Sequence, residues 1–191
     1  HIGKIPFLVK SGFSGPIHCT HATRSLATIM LLDSAKIQQR DVEYRSHKKR
    51  AFQDIPFENP LYTTDDVHLA MEQFVTYPYE RWFKIHDQVE VMFRDAGHIL
   101  GSSSVTLKIK ETDKETMLGF TGDIGRPARP ILRNPQPMPE VDYLICESTY
   151  GDREHLGAPE ETERLLEIIN QTCIVQRGKL VIPAFSVGRT Q

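Results

Sequence analysis

Apolar residues recur in this chain with two different periods, and the points where the period changes mark its elements. An apolar stretch from Ile5 to Val9 runs into Ser-Gly-Phe-Ser-Gly-Pro, a dense turn signal ending at Pro16. From Thr23 to Arg40, Leu26, Ile29, Met30 and Ile37 fall at helical spacing and predict an amphipathic helix, with Thr20 or Thr23 available as its N-cap. His18 and His21, just before it, are read as turn and capping residues. Between Arg40 and Pro60 the chain turns polar and basic, as a solvated face or loop does. Thr63-Thr64-Asp65-Asp66 then opens a second helix like a capping box, with Val67, Ala70, Met71 and Phe74 as its inner stripe.

The second half of the chain changes to the strand period. Val89 to Phe93 alternates like a half-exposed strand leading into Asp95-Ala96-Gly97-His98, and Val105 to Ile109 alternates as well. Met117 to Thr121 reads as a buried strand ending at Gly122-Asp123, joined to its predecessor by the charged turn from Glu111 to Glu115. The prolines between 126 and 139 make an irregular connection that cannot sit inside a sheet. Val141 to Cys146 is a continuous apolar run that delivers Glu147. Glu160 to Thr172 predicts a helix with Leu165, Leu166, Ile168 and Ile169 inward, and Leu180-Val181-Ile182 predicts a further buried strand. Strands and helices in this order imply an α/β or α+β layered domain.

Composition narrows the class without naming a substrate. The chain has 191 residues, 39% of them apolar and 25% charged, enough for one buried domain together with part of another. A formal net charge of −2 provides no global attraction to a polyanion, so any nucleic-acid contact has to come from local basic clusters. Cys19, Cys146 and Cys173 are widely spaced, which argues against a disulfide framework and against a thiolate zinc site, and suits a reducing, cytoplasmic setting. No apolar run is long enough to span a bilayer, so no membrane partner is expected. A chain opening at His1 without an initiator methionine reads as a segment of something longer.

Three motifs carry the candidate chemistry: Asp95-Ala96-Gly97-His98-Ile99-Leu100-Gly101-Ser102-Ser103, Gly122-Asp123-Ile124-Gly125-Arg126 and Glu147-Ser148-Thr149-Tyr150-Gly151-Asp152. Each sets a histidine or carboxylate beside glycine near a strand end, where tight turns can aim a side chain into a shared cleft. Taken singly, His98 reads equally well as a turn cap and Asp123 as a hairpin closure. Taken together, imidazole and carboxylate without thiolate suit Zn²⁺ or a related divalent ion with open positions. A carboxylate such as Asp123 can bridge two such ions, because each of its oxygens can hold one. Glu147 is then available for proton transfer or for orienting a ligand.

These motifs carry a resemblance. His1-Ile2-Gly3-Lys4-Ile5-Pro6 resembles the end of the H-x-H-x-D-H-I-G-x-x-P signature of metallo-β-lactamase-fold hydrolases. Gly97 to Ser102, Gly122 to Arg126, Glu147 to Gly151 and Ile182-Pro183-Ala184-Phe185-Ser186-Val187-Gly188-Arg189-Thr190-Gln191 resemble the RNA-processing branch of that fold, which carries the β-CASP insertion. That branch includes the nuclease that cleaves pre-mRNA 3′ ends and bacterial and archaeal ribonucleases.

The resemblance implies an αββα layered sandwich over residues 1–179 and the first segment of a β-CASP domain over 180–191. It implies two zinc ions with His1 and His98 as ligands and Asp123 as the bridge, and it makes Glu147 the acidic residue that holds a later histidine. The implied activity is hydrolysis of an RNA phosphodiester by metal-bound hydroxide, in a homodimer or an RNA-processing complex. The H-x-H-x-D before His1 and two later histidines lie outside the 191 residues, so the chain alone is expected to bind metal weakly and to be inactive. A non-catalytic scaffold subunit, or a hydrolase of the same fold with another substrate, is the competing expectation. Arg126, Arg189 and His155 are secondary candidates for contact with substrate.

Overall fold

The computed structural model describes residues 2–49, 59–128, 131–153, 158–185 and 187, with the backbone only at 47–49 and 158–161. They form two compact units, His1–Cys146 and Glu147–Gln191.

The first unit begins with α1 (Ile5–Lys10), β1 (Ile17–Thr20), α2 (His21–Lys49), α3 (Thr64–Glu72) and β2 (Phe74–Tyr77). β1 and β2 pair in parallel, Ile17 opposite Phe74 and Thr20 opposite Tyr77, so the intervening helices form the crossover that parallel strands require. The core of this layer joins Cys19, Ala27, Leu31, Ala35, Tyr62, Val67, Met71 and Phe74. Tyr62 is fully buried between the two helices and its hydroxyl reaches Ser34 Oγ at 2.9 Å, so the ring fills space while its polar end stays satisfied.

Several sequence expectations shift here. The buried stripe of α2 is Ala27, Leu31 and Ala35, whereas Ile29, Met30 and Ile37 are exposed. Counting large apolar residues passed over the two alanines, whose small size is what lets neighbouring chain lie close. The helix also continues through the polar segment as far as Lys49. Phe74 is buried as expected but belongs to β2, and His18 is a strand residue packed against the rings of Tyr77 and Phe83 rather than a turn residue. Burial holds its imidazole below the ordinary value.

The remaining strands, β3 (Phe83–His86), β4 (Val89–Asp95), β5 (Ser103–Lys110), β6 (Glu115–Phe120) and β7 (Tyr143–Ile145), form one sheet in that order. The first four are antiparallel, with Val89 opposite Ile109 and Val105 opposite Phe120, and β7 runs parallel to β6. Glu111 N–H closes on Lys114 C=O at 2.8 Å in the expected charged turn. Val91, Met92 and Phe93 are buried in succession, so both faces of β4 are covered at its centre and the strand is not half-exposed.

The apolar run after Val141 yields only a short edge strand, with Tyr143, Leu144 and Ile145 exposed. In the second unit α4 (Ala158–Ile169) passes into a π-helical turn, Asn170–Val175, and Leu165, Leu166 and Ile168 are exposed rather than inward. Leu180-Val181-Ile182 forms no strand among the described residues, and Val181 is 85% exposed. Periodicity identifies which residues share a face, but not what covers it. No described helix is long and apolar enough to cross a membrane.

The capping box of α3 is present. Asp66 Oδ2 accepts the Thr63 amide at 2.8 Å and the Lys10 ammonium at 2.9 Å, while Thr63 Oγ1 accepts the Asp66 amide. The Thr63 amide first, then the Lys10 hydrogen bond, hold the Asp66 carboxyl below its ordinary value of 3.8, against a smaller opposing effect of burial. The unfolded chain therefore binds this proton more readily, so the contribution is complete above about pH 5 and is lost as pH falls through the folded-state value. Asp66→Ala is expected to cost about 1 kcal/mol of unfolding free energy at pH 7 and much less at pH 3, measured by urea denaturation of both proteins. An equal cost at both pH values would contradict the assignment.

Candidate functional site

Because β4 and β6 both run antiparallel to β5, their C-terminal ends leave the sheet at the same edge, with the start of β5 between them. His98 follows the end of β4 by three residues and Asp123 follows the end of β6 by three. These strand ends are not neighbours, because β5 lies between them. Two strand spacings would hold them roughly 9.5 Å apart. The loops instead lean together over the start of β5 and bring His98 Nε2 to 3.7 Å from Asp123 Oδ2.

The two loops are joined by backbone. Gly125 N–H donates to Ala96 C=O at 2.8 Å, and a Cβ on Gly125 would overlap the Gly97 carbonyl and crowd the His98 nitrogen. This glycine therefore permits close approach of two main chains. It does not supply a left-handed turn. Within the His98 loop, Ser102 Oγ accepts the His98 and Ile99 amides at 3.1 and 3.2 Å, and Ser102 N–H returns to Ile99 C=O at 3.0 Å. Gly97 N–H is taken by Asp95 Oδ1 at 2.9 Å, and Gln136 N–H by Asp95 C=O at 2.8 Å. The proline-rich connection thus braces the same loop.

Tyr79 was not legible as a site residue. Its hydroxyl donates to Ser102 C=O at 2.9 Å, and burial first, then the Asp95 charge, push its ionisation above the ordinary range, so it remains a neutral donor. Nothing in the sequence links residue 79 to residue 102. The Glu80 amide, which donates to Phe93 C=O of β4 at 2.8 Å, brings it there.

At 3.7 Å the pair is beyond hydrogen-bond range, and both side chains are open to solvent, at 43% for His98 and 62% for Asp123. Ligands of a tetrahedral zinc with bonds of 2.0–2.1 Å lie about 3.3 Å apart, so a shift of a few tenths of an ångström would let both atoms grip one ion. The two donors fit a metal as part of its ligand set. Among the described residues, no group of three or more histidine, cysteine, aspartate or glutamate side chains could hold an ion. His1, His155 and Arg189 lie outside the described residues. Glu147 is the first residue of the second unit and is partly exposed, as is Arg126 in the first.

Gly125→Ala is expected to part the two loops and to cost on the order of 1–3 kcal/mol in urea denaturation, as overpacking does. A variant as stable as the parent would show that the loops do not depend on this contact.

No family model matches the chain. Its whole length is 31% identical over 191 residues to ribonuclease TTHA0252 of Thermus thermophilus, covering 38% of that protein. It is 32% identical over 195 residues to the transcription termination factor FttA of Pyrococcus abyssi and 33% identical over 196 residues to FttA of Thermococcus kodakarensis, covering 27% of each. The chain thus spans between 27% and 38% of the length of these curated relatives.

Proposed function

From the premise that this chain belongs to the β-CASP family of nucleases, we propose that it contributes part of a zinc-dependent active site that hydrolyses RNA phosphodiester bonds. The observation that carries the proposal is the convergence of His98 and Asp123 from strand ends separated by β5. On this reading the two α/β layers belong to a metallo-β-lactamase fold, an αββα sandwich over 1–179, and residues 180–191 open the β-CASP domain. RNA as substrate is supported by a relative named as a ribonuclease, and the relatives named as transcription termination factors favour transcripts as its source.

His98 would give the lone pair of Nε2 as a ligand, with His1 as a second histidine and Asp123 offering one carboxylate oxygen to each of two ions. Zinc bound there supplies Lewis acidity, charge neutralisation at the phosphate and an activated water. The rest falls to the chain's own groups. Asp123 must be presented from a fixed backbone, which the Gly125 contact provides by tying down the loop behind it. Glu147 would take or return a proton at its carboxylate, or hold a histidine ligand in the required tautomer. The hydrogen bonds of the two loops fix the backbone behind His98 and Asp123 before substrate arrives, which limits the reorganisation required during the reaction.

The test uses the intact protein carrying this chain, zinc and end-labelled RNA. Cleavage should stop on chelation and return with zinc, and Asp123→Asn or His98→Ala should lower its rate by on the order of 10³-fold or more, the several kcal/mol that metal polarisation contributes. Full-rate cleavage by a folded Asp123→Asn protein would remove the proposal. Zinc binding without cleavage of any RNA would favour the scaffold subunit.

A further inference from the structure

We infer that Thr23, acting with Thr20 and Tyr79, is a positioning residue for His98: three hydroxyls from outside the His98 loop hold two successive carbonyls of that loop and thereby set where the imidazole stands. The inference rests on the reading of His98 as a metal ligand.

The bonds that Ser102 makes inside the loop define its shape but not its place. Its place comes from elsewhere in the first unit. Thr23 Oγ1 donates to Gly101 C=O at 2.7 Å, and Thr20 Oγ1 lies 2.9 Å from the same oxygen. Tyr79 donates to the next carbonyl, that of Ser102. Thr20 closes β1 and Thr23 lies in the first turn of α2, 81 and 78 residues from Gly101 in sequence. Thr20 is also the N-cap of that helix, since its Oγ1 accepts the Thr23 amide at 3.2 Å. The Gly101 carbonyl is thus seated at the positive end of α2, where an oxygen lone pair is favoured.

The fit is close on the other side too. Gly101 has φ +85°, and a Cβ there would stand 2.5 Å from Thr23 N and 2.8 Å from Thr23 Oγ1. No residue with a side chain fits against the helix. With α2 gripping the loop at Gly101 and Gly125 gripping it near Gly97, His98 is held from both ends of its turn. A metal ligand has to be placed within about 0.5 Å, so a bond that positions the backbone carrying it bears on metal affinity.

Thr23 is the residue to change, because its hydroxyl donates to Gly101 alone, whereas loss of Thr20 would also uncap α2. Thr23→Val removes the hydroxyl and keeps the branched shape, and Thr23→Ser restores the donor. In the intact protein, zinc affinity is measured by competition with a chromophoric chelator, and hydrogen exchange is followed at the His98 and Ile99 amides. Thr23→Val should weaken zinc binding by up to about tenfold and speed exchange at those two amides, with Thr23→Ser close to the parent in both. Should Thr23→Val fail to fold, Tyr79→Phe reports on the same clamp through Ser102.

Parental zinc affinity in Thr23→Val, in a protein that loses zinc with His98→Ala, overturns the clamp and leaves the metal reading standing. Equal weakening in Thr23→Val and Thr23→Ser overturns it as well, since packing rather than the hydroxyl would then be responsible. Zinc binding that survives His98→Ala overturns the metal reading, and this inference with it.

Discussion

A single main-chain hydrogen bond, from Gly125 N–H to Ala96 C=O, draws together two loops that the sheet would otherwise keep apart. It can form only because residue 125 has no Cβ to collide with Gly97. Antiparallel pairing of β4 and β6 with β5 sends both loops off the same edge, but pairing alone leaves a whole strand between them. The glycine contact closes that gap, and the facing of His98 and Asp123 follows from it. The juxtaposition of the two side chains therefore depends on backbone proximity.

The two layers of the first unit contribute unequally to this arrangement. The five-stranded sheet supplies the loops. The α2–α3 layer supplies the rigid body against which one of those loops is pressed, through the first turn of a helix of 29 residues packed by Leu31 and two alanines. A long helix with a buried stripe is a stable reference point, and a carbonyl seated at its N-terminus inherits that stability. The polar positions that matter, Thr20, Thr23, Ser102 and Tyr79, are all used to orient main chain rather than to face solvent.

Local signals in the sequence are legible where the cause is local. The α3 capping box depends on residues three apart and the β5–β6 turn on a charged connection, whereas the strand before His98 is present but covered on both faces, which alternation does not predict. Other features were hidden for physical reasons. β1 and β2 have four residues each, too few to show a period, and their pairing is parallel and distant in sequence. Alanine in a buried stripe carries little hydrophobic signal although it governs approach distance. The apolar run Leu180 to Ile182 predicts a buried strand, and the described residues give that segment no partner strand. The motif residues His98 and Asp123 were legible as a pair, whereas the reason Gly125 follows Asp123 was visible only in three dimensions.

The position of a bound metal ion is the most direct test of the pairing of His98 with Asp123. A crystal structure of the intact protein grown with zinc, with the ion located by its anomalous scattering, should place His98 Nε2 and one Asp123 carboxylate oxygen both about 2.0–2.2 Å from a common zinc ion. Zinc bound elsewhere, with His98 and Asp123 joined by a direct hydrogen bond, would contradict it.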